Sequence, residues 1–435
     1  MIEYLKSFGQ QRGLETVTDE TGNVLIRKPA TPGMEQRPTV ILQSHMDMVC
    51  EKLPEVDIDF EKDPIQTYVD GEWMRAKGTT LGADDGIGCA IELAILDSDD
   101  IEHGPIECVF TRDEETGLTG AEGMKPGFMT GQMLINLDSE DEGQIFVSCA
   151  GGRNTTATFR FEKETAPEGW FFVKASLKGL IGGHSGDDIN KKRANALKVL
   201  TRFLYQTQER YGLRLASFTA GRLHNAIPRD GIAVFAVQVE EEYHVTEKTM
   251  QFHMESAEPQ KVIPEQVSTR MVQALQAVDN GVFAMCQDEE IAWLVETSNN
   301  VASIATTDCE AVVVASQRSN VMSALDNQAA TVKAAFQLAG AEVVQGDGYP
   351  AWKMNPDSKL TKVAVDSYRR LFGKDPLVLG IHAGLECGLF SAKYPELDMV
   401  SFGPTLRGVH SPDERLLIPT VQMVWDHLLD ILKNI

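Results

Sequence analysis

Short apolar runs recur along the chain, and acidic residues or a histidine follow each of them. The clearest runs cover residues 39–42, 106–110, 134–137 and 399–402. Runs of this length, bounded by polar residues, are typical of buried β-strands. Sites in α/β proteins form at the carboxyl ends of strands, so we expect the polar residues that follow these runs to lie close together.

The first run leads into His45 and Asp47. Residues two apart on a strand share a face, so both side chains are predicted to point the same way where the strand ends. A histidine beside a carboxylate is how proteins build a metal ligand with its orienting partner. Taken alone, the pair is equally consistent with a structural histidine.

The next two runs end in acids. Glu114 and Glu115 follow the second run, and Asp138 follows the third. Of two adjacent glutamates, one can bind a metal while the other acts as general base on a metal-bound water. By itself the glutamate pair also fits a solvated acidic turn.

Two more candidates lie in glycine-rich segments. Asp84 and Asp85 stand between glycines just ahead of a helix-like pattern, where an aspartate is either an N-cap or a carboxylate that bridges two metals. His410 lies in a Gly/Pro loop after the last run. Two histidines and three carboxylates make a set suited to Zn²⁺, Co²⁺ or Mn²⁺. The candidate ligands are His45, Asp84, Glu115, Asp138 and His410.

Length, charge and cysteine use limit the classes of protein. A chain of 435 residues is too long for one typical core, so two domains are expected. The net charge of −24 argues against nucleic acid and anionic membranes as partners. Seven scattered cysteines suit a reducing cytoplasm. We find neither a secretory signal nor an apolar run of about 20 residues, and therefore expect a cytoplasmic protein.

The candidate ligands fall in two outer blocks, residues 1–151 and 349–435, where strand and helix patterns alternate. Residues 152–348 contain none of them. Sheet-plus-helix patterns occur there twice, which predicts an α+β lid and dimerisation domain inserted into an α/β catalytic domain. In this lid we expect strands at 155–161, 171–177, 213–220, 225–228, 232–239, 293–298, 301–307 and 310–316, and helices at 190–208, 265–277 and 320–339.

Five further polar residues are candidates for contact with a substrate. His184 is flanked by glycines in Gly-Gly-His-Ser-Gly, Asn225 precedes Ala-Ile-Pro, and Arg318 follows a β-rich run. An arginine there can grip a carboxylate with two parallel hydrogen bonds. The alternatives are a turn histidine, a turn asparagine and a surface arginine. His382 and Glu386 share the segment His-Ala-Gly-Leu-Glu-Cys-Gly, which also suggests close approach to a substrate.

These motifs resemble the M20 family of dinuclear metallopeptidases, and within it the bacterial aminoacyl-histidine dipeptidases, which cleave Xaa-His dipeptides such as carnosine. The resemblance runs over nearly the whole chain. It implies a zinc-peptidase-like catalytic domain with a central mixed sheet flanked by helices, an inserted α+β lid and a homodimer formed through the lid. The segments that carry it are 23–30, 43–49, 78–88, 178–186, 225–229, 381–390 and the His410 loop.

The resemblance also implies roles for the catalytic residues. The five candidate ligands would hold two divalent ions, Zn²⁺ with Co²⁺ or Mn²⁺ as alternatives, and Asp84 would bridge them. Asp47 would orient His45, and Glu114 would act as general base on the water that bridges the metals. The peptide bond between Asp84 and Asp85 would be cis.

The lid residues take substrate-binding roles by the same resemblance. Asn225 and Arg318 would bind the C-terminal half of a dipeptide, and His184 from the partner subunit would stabilise the developing oxyanion. His382 and Glu386 would also contact the substrate.

Two features depart from the family pattern. The subfamily usually has Asp-Asn where this chain has Asp84-Asp85, and relatives carry a helix and turn ahead of the segment that matches residues 2–13. The predicted function is hydrolysis of Xaa-His dipeptides. The alternatives are another M20 hydrolase, such as a tripeptidase or an N-acyl amino-acid deacylase, and a non-catalytic metal- or peptide-binding relative.

Overall fold

The computed structural model describes residues 1–237, 251–287 and 291–435, and by their contacts these residues divide into two compact units. The segment Ile381–Gly384, which contains His382, groups with unit 2 rather than with the outer block in which the sequence pattern placed it. Unit 1 comprises Met1–Ser148, Trp352–Gly380 and Leu385–Ile435, and unit 2 comprises Cys149–Ala351 and Ile381–Gly384.

The strands are numbered in chain order. They are β1 (Glu15–Thr18), β2 (Val24–Lys28), β3 (Val40–His45), β4 (Thr67–Asp70), β5 (Trp73–Ala76), β6 (Ile106–Thr111), β7 (Met133–Asn136), β8 (Gln144–Cys149), β9 (Gly151–Arg160), β10 (Phe171–Lys178), β11 (Leu213–Ala220), β12 (Gly231–Val237), β13 (Gln251–Ser256), β14 (Gly281–Met285), β15 (Val295–Thr306), β16 (Glu310–Ser319), β17 (Glu342–Gln345), β18 (Leu377–Ile381), β19 (Asp398–Ser401), β20 (Leu406–Arg407) and β21 (Arg415–Leu417).

The helices are numbered in the same way, and a short 3₁₀ helix covers Ile189–Lys191. They are α1 (Ile2–Gln11), α2 (Ala83–Asp97), α3 (Thr119–Gly123), α4 (Ala196–Tyr211), α5 (Glu265–Ala277), α6 (Met322–Leu338), α7 (Lys359–Phe372), α8 (Glu386–Lys393) and α9 (Ile418–Asn434). Among the described residues, no helix has the length and apolar character needed to cross a membrane.

Unit 1 is built on a mixed eight-stranded sheet with the order β1-β2-β6-β3-β7-β19-β8-β18. The neighbours β6, β3, β7 and β19 run parallel, so their carboxyl ends meet at one edge. Every residue of β3 and β6 is buried, which explains the apolar runs in both. The predicted central mixed sheet is confirmed, as are the strands predicted from the four apolar runs.

Helices α1, α2, α7 and α9 contribute apolar side chains to the core of unit 1. In α2 these include Ile91 and Ile95, and in α9 they include Leu428 and Ile431. Burying one aliphatic side chain of this size contributes about 1.5–3 kcal/mol. The packed core therefore fixes the strand ends from which the candidate ligands project.

A small four-stranded antiparallel sheet, β20-β21-β5-β4, completes unit 1 and was not predicted. Strands β20 and β21 form a hairpin in which Leu406 pairs with Leu416, and the loop between them carries His410. The two strands are two and three residues long, too short to show a periodic apolar pattern.

Unit 2 contains a nine-stranded sheet with the order β13-β10-β12-β11-β15-β16-β9-β17, and β14 pairs with β15. Helices α4, α5 and α6 bury side chains such as Leu200, Leu275 and Phe336 in the same core as the strands. The predicted α+β character of the inserted block is confirmed.

Two predicted lid strands, 293–298 and 301–307, are in fact the single strand β15. The polar pair Asn299 and Asn300 lies between the two predicted strands, but both side chains are buried. The Asn299 amide donates to the Asp279 carbonyl at 2.6 Å, and the Asn300 amide donates to the Ala226 carbonyl at 2.9 Å. These bonds compensate the burial of the two amides, so the strand continues through them.

Other lid predictions differ from the structure in part. The predicted strand 225–228 is a loop with one bridge, between Ala226 and His184. Helix α4 begins later than predicted because Asn195 caps it, its side chain accepting the N–H of Lys198 at 3.1 Å. The predicted strand 232–239 corresponds to β12, and its last two residues lie outside the described residues.

Candidate metal centre

The polar candidates of unit 1 gather at the carboxyl edge of its large sheet. His45 is the last residue of β3, the two glutamates Glu114 and Glu115 follow β6, and Asp138 follows β7. Because these three strands are parallel neighbours, the residues just beyond them share one edge. Sequence position relative to the strands thus explains how four side chains come together.

Asp84 belongs to two groups of potential ligands at once. Its Oδ1 atom lies 3.1 Å from Nε2 of His45, and its Oδ2 atom lies 3.1 Å from Nε2 of His410. Asp138 lies 3.5 Å from His45, and Glu115 lies 3.0 Å from His410. The ligand atoms of each group lie within 4.8 Å of one another, which is close enough to hold one metal ion. The two groups are His45, Asp84 and Asp138, and Asp84, Glu115 and His410.

The backbone around Asp84 has an unusual shape that presents its carboxylate to both histidines. Gly82 has a left-handed conformation with φ of 69°, which glycine adopts without strain. The peptide bond between Asp84 and Asp85 is cis, as the family resemblance implied. The buried Asp85 accepts the N–H of Gly88 at 3.1 Å and so acts as a cap within the first turn of α2.

Asp47 connects the β3 end to the turn after β6. Its Oδ1 accepts the N–H of Glu114 at 3.1 Å, and its Oδ2 accepts the N–H of Glu115 at 3.2 Å. The Nδ1 atom of His45 lies 3.5 Å from the Asp47 carboxylate and 3.1 Å from its carbonyl oxygen. With Nδ1 donating on this side, Nε2 of His45 is free to act as a ligand on the other.

Burial and neighbouring charges shift the pKa values of the carboxyl and imidazole groups in this cluster. Burial raises the pKa of Glu114 to about 8 and the pKa of Asp138 well above its usual range. Burial acts on Asp84 too, but hydrogen bonds from His410 and His45 hold its pKa below the usual range. Burial opposes the charged form of His45, yet Asp138 holds the pKa of His45 well above its usual range. Buried carboxylates this close together are stabilised by a nearby cation.

The residues present fit a divalent cation. The Oε1 atom of Glu115 is buried and has no hydrogen-bond partner within the described part of the chain. A buried oxygen left in this way costs about 1–3 kcal/mol unless something binds it. The two histidines form ion pairs with Glu115, Asp84 and Asp138. Imidazole nitrogens combined with carboxylate oxygens are ligands that Zn²⁺ accepts.

Glu386 lies beneath this cluster rather than at its surface. The side chain is completely buried at the start of α8, and its Oε2 accepts hydrogen bonds from Gln43 and Thr111, both at 2.7 Å. Burial raises the pKa of Glu386 to about 7. This position favours a supporting role under the sheet edge over the contact with substrate that was predicted.

In unit 2, Arg318 is buried, and the hydrogen-bond partners of its guanidinium among the described residues include no carboxylate. Its Nη1 donates to the Tyr349 hydroxyl at 2.8 Å, and its Nε donates to the Ser185 hydroxyl at 3.4 Å. Its Nη2 lies 3.5 Å from Nε2 of His184. The Arg318 charge also acts on Asp187, and an anion that bonded the guanidinium directly would compensate it more fully. The reading of Arg318 as a plain surface arginine is wrong.

The other lid candidates occupy different environments. Nδ1 of His184 lies 3.2 Å from the carboxylate of Asp187, which orients the ring. The side chain of Asn225 is exposed, while its carbonyl accepts the N–H of Ser185 at 2.8 Å. His382 is buried, its Nε2 lies 2.7 Å from the Ser298 hydroxyl, and burial lowers its pKa to about 3.

Sequence reasoning missed three residues that support these groups. Tyr349 holds Arg318, and Asp187 holds His184. Glu414 binds the backbone ahead of Asp84. Only Asp187 gave a usable signal, since it stands three residues after His184 in the same glycine-rich loop; the other two act over long distances in sequence.

Comparisons with known proteins identify the family of this chain. The sequence profile described as "Peptidase family M20/M25/M40" matches residues 41–434. The cytosol non-specific dipeptidase of Escherichia coli (strain K12) is 40% identical over 454 residues, covering 100% of this chain and 93% of that protein.

Solved structures of peptidases are also similar to this chain. The aminoacylhistidine dipeptidase of Vibrio alginolyticus is 41% identical with a TM-score of 0.88, covering 100% of this chain and 92% of that chain. A tripeptidase of Staphylococcus aureus is 18% identical with a TM-score of 0.58, covering 99% of this chain and 91% of that chain. At that identity the second match shows a shared fold alone.

Proposed function

Because this chain belongs to peptidase family M20/M25/M40, a metal-dependent family of peptide hydrolases, we propose that it is a dipeptidase that hydrolyses Xaa-His dipeptides with two divalent metal ions. The position of Asp84 carries the proposal. One carboxylate whose two oxygens face two different histidines at 3.1 Å is suited to bridge a metal pair. His45 and Asp138 would complete one ligand set, and Glu115 and His410 the other.

Two bound divalent ions would supply Lewis acidity, lowering the pKa of a water and polarising the scissile carbonyl. Glu114 is the proposed general base, which takes a proton from the attacking water and returns it to the leaving amine. Its pKa of about 8 reflects burial first, and neighbouring positive charge would favour the ionised form that accepts a proton. The hydrogen bond from its backbone N–H to Asp47 keeps it beside the ligands.

Arg318 is the proposed binding group for the C-terminal carboxylate of the dipeptide. The three hydrogen-bond partners of its guanidinium in the described part of the chain include no carboxylate, and a substrate carboxylate would supply one. Asn225 and His382 are proposed to assist in binding the substrate. His184 is proposed to stabilise the oxyanion, with Asp187 orienting its ring.

The preference for histidine at the second position is the finer part of the proposal. It rests on the relative of 41% identity from Vibrio alginolyticus, which is an aminoacylhistidine dipeptidase. The Escherichia coli relative of 40% identity is described as non-specific, which favours a second candidate function: a dipeptidase with broad specificity.

We also propose Zn²⁺ as the metal, with Co²⁺ or Mn²⁺ as alternatives, since the ligand set mixes imidazole with carboxylate. A homodimer formed through unit 2 is proposed from the family resemblance. A cytoplasmic location is proposed because the Escherichia coli relative is described as cytosolic. The strong negative charge supports a small peptide substrate rather than nucleic acid or a membrane surface as partner.

A substrate panel tests the function. The protein is stripped of metal with a chelator, reloaded with Zn²⁺, Co²⁺ or Mn²⁺, and assayed on carnosine, Gly-His, dipeptides without histidine, tripeptides and N-acyl amino acids. Higher kcat/KM for the Xaa-His dipeptides supports the proposal. Equal rates on all dipeptides support the broad dipeptidase instead. Turnover confined to tripeptides or N-acyl amino acids, or no turnover with any metal, contradicts both.

A further inference from the structure

Glu414 binds the backbone of the segment that carries Asp84. Its side chain is 2% exposed, in the loop between β20 and β21. Oε2 accepts the N–H groups of Leu81 and Gly82 at 2.7 and 3.1 Å. Oε1 accepts those of Ala83 and Asp84 at 2.8 and 3.3 Å. One carboxylate thus binds four consecutive backbone donors.

The four donors lie at the N-terminal end of α2. They precede or open α2, and the first N–H groups of a helix have no acceptor within it. Gly82 at a left-handed φ bends the chain so that all four N–H groups point to one place. A carboxylate with two donors on each oxygen is a strong, charge-assisted contact. Glu414 therefore holds this bend through contacts made within the protein.

The same glutamate belongs to the loop that carries His410. Its own N–H donates to the Ser411 carbonyl at 3.0 Å, which closes a turn directly after His410. His410 itself has a positive φ of 60°, so its position depends on this tight loop. Asp84 and His410 are 326 residues apart in sequence, and their side chains meet at 3.1 Å. The Glu414 side chain thus joins the loop that carries His410 to the backbone that carries Asp84.

We infer that Glu414 is a positioning residue for the metal site: it holds the Asp84 and His410 loops at the spacing that lets Asp84 serve both ligand groups. The inference rests on the proposed function in one respect, that Asp84 and His410 are ligands. A purely structural role would make Glu414 important for folding and leave the affinity for metal unchanged. The two roles can therefore be separated by measuring metal binding directly.

The main variant is Glu414→Gln, which keeps the size of the side chain. A glutamine offers one acceptor oxygen, so in either orientation its NH₂ group faces two of the four backbone N–H groups. The second variant is Glu414→Asp, which keeps the charge on a side chain one methylene shorter. The matched control is Asp413→Asn. Asp413 is an exposed neighbour of Glu414 in the same loop, and its side chain does not bind the four backbone N–H groups.

The measurements are the affinity of each chelator-treated protein for Zn²⁺ by competition with a chromophoric chelator, and the visible absorption of the Co²⁺ form. Removing a group that orients a metal ligand typically lowers metal affinity about 10- to 100-fold. We expect a loss of this size in Glu414→Gln, a changed Co²⁺ spectrum, a smaller loss in Glu414→Asp and parental values in Asp413→Asn. Melting curves recorded before metal is added report folding separately.

Parental Zn²⁺ affinity and an unchanged Co²⁺ spectrum in a folded Glu414→Gln protein would overturn the inference, even if its melting temperature fell. If Glu414→Gln does not fold, the same comparison with Glu414→Asp decides. Failure of the proposed function looks different, because the parental protein itself would then bind no metal pair or cleave no dipeptide.

Discussion

The carboxylate of Asp47 accepts the backbone N–H of Glu114 at 3.1 Å. This bond joins the loop after β3 to the turn after β6, and the second Asp47 oxygen extends it to Glu115. A single side chain therefore links the orientation of His45, the proposed general base and one proposed ligand.

Asp47→Asn should weaken the site without abolishing the fold. Asparagine can accept only one of the two N–H groups that Asp47 now accepts, and it carries no charge to favour the ligand form of His45. We expect metal affinity and kcat/KM to fall about 10- to 100-fold. Metal titration alongside steady-state kinetics checks this; parental values for both would show that Asp47 does not orient the site.

Substitutions of Glu114 and Glu115 should impair the protein in different ways, the first in activity and the second in metal content. Glu114→Gln keeps the shape but cannot accept a proton, so kcat should fall about 10²- to 10⁴-fold while metal content stays parental. Glu115→Ala removes an oxygen ligand and should lower metal content. Metal analysis of both purified variants is compared with their activities. If Glu114→Gln stayed active, or if both variants lost metal equally, the roles assigned to Glu114 as general base and Glu115 as ligand would be wrong.

Arg318→Met should act on binding of the substrate carboxylate. A hydrogen bond to a charged group contributes about 1.5–3 kcal/mol, so kcat/KM for a free dipeptide should fall roughly 10- to 100-fold. The fall should appear mainly in KM and be much smaller for the same dipeptide with an amidated C-terminus. The control is Arg222→Met, at an exposed position in the same unit. Equal losses on the free and amidated substrates would contradict the role.

His184 should act across the proposed dimer. Mixing inactive Glu114→Gln chains with inactive His184→Ala chains should restore activity, because each mixed dimer would contain one site with both residues intact. Subunit exchange is verified with differently tagged chains, and each variant mixed with itself is the control. A mixture that exchanges subunits yet stays inactive would place the action of His184 within its own chain.

Glu92 should make stability depend on pH. It is completely buried, its Oε1 lies 2.6 Å from the Ser44 hydroxyl, and burial raises its pKa well above the usual value of 4.5. Above about pH 4.5 the unfolded chain releases this proton while the folded chain keeps it, so Glu92 lowers stability as pH rises. Glu92→Gln removes this dependence.

The parent should therefore lose stability relative to Glu92→Gln between about pH 5.5 and pH 8, by at most about 1.4 kcal/mol per pH unit. Urea unfolding at both pH values measures the difference, with the exposed Glu61→Gln as control. A difference that does not change with pH would mean that Glu92 is ionised in the folded protein.

The sequence was sufficient for the residues that follow the short apolar strands. Runs such as that before His45 pack on both faces, so their composition alone marks them as strands, and residues just beyond parallel strands must share an edge. It was insufficient where polar residues continue a strand, as at Asn299 and Asn300, because their buried partners are distant in sequence.

The chain's local patterns and motifs determined the family, the α/β class and the residue types available for a metal site, because these depend on periodicity and on short segments. Only the tertiary structure decided which side chains meet. It shows that Asp84 faces two histidines, that Glu386 is buried against Gln43 and that Glu414 clamps the Asp84 backbone. Most of these contacts join segments more than 300 residues apart, and they form only when the packed core brings the loops together, so no local pattern encodes them.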